Sequence, residues 1–205
     1  MIRRPHAIRN ALFFVTGLAL ALGATGCGYA LENARTNSLQ EVGVTNVYVF
    51  PVKNMSYKPG AENLVYNELI QALLAGHRVK LVDRPELSDA VLESSIEKAS
   101  YSPSAKTGTA SIYPFALSAI DIQIATEYQA DVVCSFHLKR QKDGVGADVL
   151  WESSFTRSRR FAANNQKVEF GTTAGLINES EFDRTLQEVA HSMMQDVHEA
   201  MVARF

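Results

Sequence analysis

The strongest pattern of apolar and polar positions lies in the middle of the chain. Between Ile120 and Lys139, apolar residues occupy one parity, and charged, amide or hydroxyl residues occupy most of the other. Alternation with a period of two is typical of a β-strand with one buried and one solvated face. Such a strand would span about 60 Å at ~3.3 Å per residue. The pattern therefore predicts either a break near Ala125 and Thr126 or a strand that extends beyond the domain.

Shorter stretches rich in β-branched and aromatic residues predict the other strands. They lie at residues 47–52, 79–82, about 90–100 and 149–161. Residues 142–146 contain two glycines and predict a hairpin turn between the long strand and the last strand. Residues 106–111 and 162–175 are polar and predict loops.

Two segments have apolar residues at helical spacing. The first covers residues 61–75 and is expected to end near Gly76 as its C-cap. The second is expected to begin near Asn178, which forms an Asn-x-x-Glu capping pattern with Glu181. Together these elements predict an α+β fold: a two-layer α/β sandwich with two helices packed on one face of a mixed four-stranded, or slightly larger, sheet.

The N-terminus has the features of an export signal. Residues 1–26 contain three arginines, no acidic residue and the apolar stretch ALFFVTGLALAL, which is shorter than the roughly 20 residues of a membrane-spanning helix. Small residues follow and end at Cys27, which predicts a lipoprotein signal although Ala24 stands where Leu is usual. The alternative is an ordinary signal peptide. We expect one domain over residues 27–205, with residues 27–45 as an N-terminal tether.

Lipidation would make Cys27 an anchor carrying diacylglyceryl and acyl groups. Several acyl chains on one residue give lasting membrane attachment, whereas one chain binds only marginally. Gly28 occupies the position where Asp would signal retention in the inner membrane. The expected location is therefore the periplasmic face of the outer membrane.

Charge and residue types argue against several functions. Removing residues 1–26 takes away three of the 20 basic residues and none of the 22 acidic ones, so the remainder is more acidic than the full chain at −2. We therefore expect no nucleic-acid partner. Cys134 lies on the apolar parity and is expected to be a buried thiol. Because no catalytic motif or metal-ligand set is recognisable, we expect no enzyme, catalytic residue, metal or cofactor beyond the lipid on Cys27.

Basic residues cluster at one end of the predicted sheet. The cluster comprises Arg157, Arg159, Arg160, Lys167 and, from another loop, Lys106. Such a cluster can bind phosphate groups. The alternative is an ordinary solvated strand end.

Several stretches resemble the LptE family of lipopolysaccharide (LPS)-assembly lipoproteins. They include Cys27-Gly28-Tyr29-x-Leu31, and they follow in the family's order: VYVFPVKNMSYKPGAENLVYNELIQALLA, RVKLVDRPELSDAVLESSIEKASYSP, ATEYQADVVCSFHL and VLWESSF. The chain departs from the family at Glu32-Asn33, where Arg-Gly is common, and at residues 111–124, which are longer and more apolar.

This resemblance implies a non-enzymatic outer-membrane lipoprotein that plugs the LptD β-barrel and helps insert LPS into the outer leaflet. By loop position, the implied LPS contacts are Lys106 and Lys167, with Arg159 and Arg160 as neighbours. The solvated face of the long strand would suit the polar barrel lumen. A lipoprotein that forms a homo-oligomeric ring in a secretion or surface-structure assembly is the alternative, and a periplasmic hydrolase is a third hypothesis.

Overall fold

Three long antiparallel strands form the centre of the sheet. In the computed structural model they are β4 (Ala90–Gly108), β5 (Gln123–Lys142) and β6 (Val145–Ala162). The shorter strands are β1 (Asn46–Val49), β2 (Lys53–Asn54) and β3 (Lys80–Leu81), and the helices are α1 (Ser38–Glu41), α2 (Ala61–Gly76) and α3 (Thr173–Ala203), with a 3₁₀ turn at Pro85–Leu87. The structure describes residues 38–108, 123–142, 145–163 and 173–203.

The sheet is mixed, as the sequence predicts. Its order is β3-β1-β4-β5-β6, and β2 also pairs with β4. The short strands are parallel to their neighbours, whereas β4, β5 and β6 pair antiparallel. The helices pack on one side of this sheet, so the predicted α+β architecture is confirmed, and the sheet, predicted as four-stranded or slightly larger, has six strands.

The long central strand does not break. From Gln123 to Arg140 it pairs with β4, and the irregularities near Ala125 are accommodated as β-bulges. The predicted break near Ala125 and Thr126 is therefore wrong, and the strand continues past the short strands within the domain. Strand β4 is also longer than expected, because it continues through residues 101–108 instead of ending near Ser100. Of the apolar stretch 111–124, residues 111–122 lie outside the described residues.

One face of the sheet is covered by α2 and α3 and forms the core. On β5 the even-numbered residues Ala130, Val132, Cys134, Phe136 and Leu138 are all essentially inaccessible. Their parity confirms the predicted buried face. Burial, together with the charge of Glu97, raises the pKa of the Cys134 thiol to about 12. Cys134 is therefore a protonated core residue, as its position in the alternation predicts.

Two predicted boundaries are wrong. Helix α3 begins at Thr173, so Asn178 lies inside it, buried, and is not its N-cap. Nor does the N-terminal tether reach residue 45, because residues 38–41 form α1, and Leu39 and Val44 are both fully buried in the core. No helix in the described part of the chain is long and apolar enough to cross a membrane.

Helix α2 ends at Gly76, but this glycine is not the C-cap that the sequence predicts. The C-cap is His77, whose backbone is left-handed at φ 51° and whose N–H bonds to the Leu74 carbonyl. Gly76 is required for another reason. A Cβ atom at this position would overlap the imidazole of His198 on α3. The absence of a side chain at Gly76 therefore allows α2 and α3 to approach closely.

Replacing Gly76 with Ala should lower the free energy of unfolding. The added methyl group forces the His198 ring or the helix to move, and overpacking of this kind costs about 1–3 kcal/mol. Urea unfolding of the Gly76→Ala variant measures this loss. Removing the obstructing ring in the Gly76→Ala/His198→Ala variant should make the alanine nearly neutral relative to His198→Ala alone. An equal loss in both backgrounds would contradict the proposed contact.

Candidate functional site

The side of the sheet opposite the helices, called the open face below, is lined by polar side chains on all three long strands. Lys139 Nζ lies 3.0 Å from Glu93 Oε2 on the neighbouring strand. His137 Nδ1 lies 3.6 Å from Glu152 Oε1 on β6. In the sheet register His137 is directly opposite Glu152, and Lys139 is the diagonal neighbour of Glu93. The opposite charges of Lys139 and Glu93 stabilise the sheet surface. The open face is therefore a surface of paired polar groups.

Asp131 is the most highly bonded carboxylate on this face. It accepts hydrogen bonds from Gln129 Nε2 at 2.9 Å, Ser158 Oγ at 2.7 Å and Lys98 Nζ at 2.9 Å. The bonds from Gln129 and Ser158, followed by the bond and charge of Lys98, hold the pKa of Asp131 below its ordinary value despite some burial. Asp131 therefore remains ionised and connects all three long strands.

A β-bulge in β4 adds further polar groups to the open face. The register shifts between Ile96 and Lys98, and both Glu97 and Lys98 are exposed there. Glu97 accepts a hydrogen bond from Ser135 on β5. After the bulge, Ala99 is again buried on the helix side. The extra residue thus adds to the open face without disturbing the core.

Beyond the short strands, the three long strands continue as an arm formed by residues 97–108, 123–133 and 156–162, called the distal arm below. On its helix side, Tyr101, Tyr128, Phe161 and Phe182 pack together, with Tyr101 centred 4.8 Å from Phe182 and 5.2 Å from Tyr128. This cluster joins each of the three strands to α3. The arm therefore has a small apolar core of its own.

The predicted basic cluster is divided by the sheet. Arg160 is paired with Gln129 and lies on the open face, 3.6 Å from Glu127 Oε1. Arg159 is paired with Ala130 on the helix side, and its guanidinium lies 2.7 Å from Glu188 Oε2 of α3. Adjacent residues in a strand point to opposite faces, so these two side chains leave β6 on opposite faces of the sheet.

Lys106 lies at the same end of the sheet as Arg160. It pairs with Ala125 on β5, and its side chain is exposed. Among the described residues, no carboxylate forms an ion pair with it. Lys167 lies outside the described residues. Of the four predicted binding residues, the open face of the arm therefore carries Arg160, and Lys106 is at its tip.

Two other basic side chains form ion pairs with carboxylates of α3. Arg157 forms an ion pair with Asp196 of α3. Lys58 Nζ lies 2.5 Å from both Glu179 Oε1 and Asp183 Oδ1. Burial alone would lower the pKa of Lys58, but hydrogen bonds and charges from Asp183 and Glu179 outweigh it and raise the pKa above its ordinary value. Lys58 therefore holds the loop before α2 against α3.

A groove of about 460 Å³ runs between the end of β6 and helix α3. Arg159, Arg160 and Phe161 line one side, and Arg184 lines the other. Arg184 lies 2.8 Å from Glu181 on the same helix. No sequence motif marks Arg184, so it was absent from the predicted cluster. The sequence feature that could have indicated Arg184 is its helical spacing of three and four residues from Glu181 and Glu188.

The histidines on α3 lie in different environments. His191 Nδ1 is 2.9 Å from Glu68 Oε2 on α2, whereas His198 is packed against Gly76. Burial first, and then the charge of Arg78, lower the pKa of His198 against the opposing effect of Glu199. In the described ranges, no three His, Cys, Asp or Glu side chains are grouped closely enough to hold a metal ion.

The fold and this surface define a class of α+β domain in which helices cover one sheet face and the other face remains polar. The family model for LptE, described as Lipopolysaccharide-assembly, matches residues 44–205. The chain therefore belongs to the LptE family, and the predicted resemblance is confirmed. Among curated proteins, none matches this chain.

Some solved structures are similar to this chain at low sequence identity. One is the PelC dodecamer from Paraburkholderia phytofirmans, at 20% identity over 74% of this chain and 84% of that chain, with a TM-score of 0.41. Another is a minor lipoprotein from Acinetobacter baumannii, at 10% identity over 78% and 92% of the two chains, with a TM-score of 0.43. A third is lipoprotein GNA1162 from Neisseria meningitidis, at 16% identity over 69% and 97%, with a TM-score of 0.38. Similarities at this level say nothing about function.

Proposed function

We propose that this LptE-family chain is an outer-membrane lipoprotein that occupies the lumen of the LptD β-barrel and helps insert LPS into the outer leaflet. Its role in this proposal is binding and support, without catalysis. The observation that carries the proposal is the polar open face, which extends across three strands of 18 to 20 residues. Family membership supplies the LPS-assembly context.

The open face has the chemistry required for contact with the inside of a barrel. A barrel of the outer-membrane type has an apolar outer band and a polar interior. Groups on the open face such as Asp131, Ser135 and His137 can exchange water for hydrogen bonds with such a wall. Cross-strand pairing, as between Lys139 and Glu93, limits the cost of burying their charges. In the proposal, this face therefore contacts the barrel.

The basic end of the distal arm supplies the proposed LPS contacts. LPS carries phosphate groups, and charge-assisted hydrogen bonds from Arg or Lys are the strongest means of binding them. Lys106 and Arg160 are the principal candidates because Lys106 is exposed and Arg160 has only a distant carboxylate at 3.6 Å. Arg159 is closely paired with Glu188 and is assigned a secondary role. Lys167 is retained from the family resemblance.

The proposed anchor is the lipid on Cys27, exposed after removal of residues 1–26. It would place the domain at the periplasmic face of the outer membrane. The alternative is a lipoprotein that forms a homo-oligomeric ring in a secretion or surface-structure assembly. The match of the LptE family over residues 44–205 does not favour it.

A bulky residue on the open face should disrupt assembly with the barrel. Thr156 on β6 is exposed and is paired with Val133 on the open side. We expect Thr156→Trp to reduce co-purification of the barrel with the tagged full-length protein about tenfold, as overpacking a close interface does. Gln187→Trp, at an exposed position on α3, is the matched control and should leave recovery unchanged. Equal recovery with both variants, or a symmetric homo-oligomer without a barrel, would contradict the proposal.

Charge reversal at the tip of the arm should weaken LPS binding. We expect Lys106→Glu and Arg160→Glu each to reduce affinity about tenfold, because each removes a cation and adds a repulsive charge near phosphate. Binding of the purified full-length chain to immobilised LPS measures the effect. Lys80→Glu, at an exposed position on β3, is the control for a change in net charge. If both arm variants bind like the Lys80 variant, the arm is not the LPS-binding surface.

Replacing Cys27 with Ser should abolish lipidation, because a hydroxyl group cannot form the thioether to diacylglycerol. Metabolic labelling of cells with radioactive palmitate gives the readout. Cys134→Ser is a matched control, since this thiol is fully buried, and its label should persist. Labelled Cys27→Ser protein would show that the lipid is attached at another position.

A further inference from the structure

The loop between β2 and α2 holds two apolar side chains in solvent; residues 55–58 are called the Tyr57 loop below. Tyr57 is fully exposed and is the most exposed large apolar side chain in the described part of the chain, and Met55 is 63% exposed. Within the same described ranges, Tyr57 has no hydrogen bond, ion pair or ring contact. Single exposed apolar side chains are common on protein surfaces, so a binding role depends on how this pair is held.

The side chain of Asn54 fixes the loop from within. Its Oδ1 accepts hydrogen bonds from the N–H and the hydroxyl of Ser56 at 2.9 and 2.7 Å. Its Nδ2 donates to the Lys58 carbonyl at 2.8 Å and to Glu62 Oε2 at 2.6 Å. These four bonds use the full capacity of the amide group. The backbone that carries Tyr57 is therefore ordered before any partner binds.

Contacts outside the loop fix both of its ends. At the start, the Met55 N–H donates to the Ile96 carbonyl of β4 at 2.9 Å. At the end, Lys58 forms ion pairs with α3, and its Nζ lies 5.3 Å from the centre of the Phe182 ring. The loop is thus attached to both the sheet and the helices. A contact surface ordered in this way loses little conformational entropy when it binds.

The sheet register places the Tyr57 loop beside the open face. Lys53 is paired with Ser95 on the open side of β4, whereas Asn54 is paired with the buried Ile96 on the helix side. Because alternate residues of a strand share a face, Met55 follows Lys53 on the open side. The apolar surface of the loop therefore continues the open face at the point where the distal arm begins.

The open face itself is a poor source of affinity. Its charges are already paired within the chain, as between Lys139 and Glu93, and burying paired charges gives little net free energy. Binding energy at protein interfaces comes mainly from a few buried anchors, among which Tyr is enriched. Tyr57 and Met55 are the exposed groups next to this face that can supply such an anchor.

The charges around the loop favour a protein over a lipid surface as its partner. Two lysines and three carboxylates surround its base: Lys53, Lys58, Glu62, Glu179 and Asp183. Segments that bind anionic lipid surfaces carry an excess of Lys or Arg, which this base lacks. Tyr and Met are enriched in the cores of protein interfaces.

We propose that the Tyr57 loop is a docking contact for the barrel, in which the Tyr57 ring and the Met55 side chain enter an apolar pocket of the protein that covers the open face. Tyr57 is the main contact and Met55 a secondary one. Asn54 is a positioning residue that holds both in place. This inference rests on the proposed function in naming the barrel as the partner.

The test measures recovery of the barrel with the tagged full-length chain. We expect Tyr57→Ala to reduce recovery about tenfold and Met55→Ala about threefold, because each removes a buried apolar anchor. Tyr57→Phe keeps the ring and should bind like the unmodified chain. Leu74→Ala is the matched control, since Leu74 is an exposed apolar side chain on α2, and it should leave recovery unchanged. Thermal unfolding checks that every variant keeps its fold.

A double-variant comparison tests the role of Asn54. Asn54→Ala leaves Tyr57 and Met55 in the chain but releases the loop, and we expect it to reduce recovery of the barrel about threefold. In the Tyr57→Ala background the same change should cause little further loss, because the contact that it positions is absent. An equal loss in both backgrounds would show that Asn54 acts on the fold alone and would contradict its positioning role.

Three results would overturn the docking contact. They are recovery of the barrel by Tyr57→Ala equal to that by Leu74→Ala, a loss in Tyr57→Phe as large as in Tyr57→Ala, and a benzoylphenylalanine at position 57 that crosslinks in intact cells only to lipid or only to a second copy of this chain. A crosslink from position 57 to the barrel would support it.

Failure of this inference is distinguishable from failure of the proposed function. Loss of the barrel in Thr156→Trp, with full recovery by Tyr57→Ala, would reject the Tyr57 loop and leave the proposed function intact. Failure of the unmodified chain to recover any barrel would contradict the proposed function and, with it, the docking contact.

Discussion

The packing of helix α3 across one face of the long strands is the interaction on which the rest of the structure depends. The methionines and branched residues of α3 are buried against α2 and the sheet, and Phe182 extends this contact to the distal arm. Because α2 and α3 cover only this face, the other face of β4, β5 and β6 remains polar. Apolar and polar residues alternate along most of β5 because one face of the strand is buried and the other is solvated. Gly76 permits the closest approach of the two helices.

The same helix determines which cations remain available. Lys58, Arg157 and Arg159 all form ion pairs with carboxylates of α3, so these charges contribute to the contact between helix and sheet. Lys106 and Arg160 lie away from that contact. The net-acidic chain thus keeps a small set of accessible cations at one end, where phosphate groups can be bound. Helix α3 therefore forms ion pairs with some cations, Arg159 among them, and leaves Lys106 and Arg160 outside its contact with the sheet.

Sequence patterns predict the elements correctly where the local pattern and the tertiary structure agree. Alternation predicts the buried face of β5, and apolar spacing predicts both long helices. The prediction fails where contacts in the tertiary structure, such as strand pairing, override the local sequence preference. Residues 101–108 contain Pro103 and Gly108, which favour a loop, yet they form an edge strand because β5 supplies their partners. Asn178 and Glu181 match a capping pattern, but residues before Asn178 continue the helix, and Glu181 pairs with Arg184. The site is less predictable because Arg159 and Arg160 are adjacent in sequence but leave β6 on opposite faces of the sheet, whereas Arg159 and Arg184 are distant in sequence but line the same groove.

In the proposed complex, the open sheet face contacts the barrel. Site-specific photo-crosslinking in intact cells tests it most directly, with benzoylphenylalanine at Thr156 on the open face or at Gln187 on the exposed side of α3. We expect a crosslinked product containing the barrel from position 156 and much less from position 187. A barrel crosslink from position 187 alone, or a dimer of this chain from position 156, would contradict it.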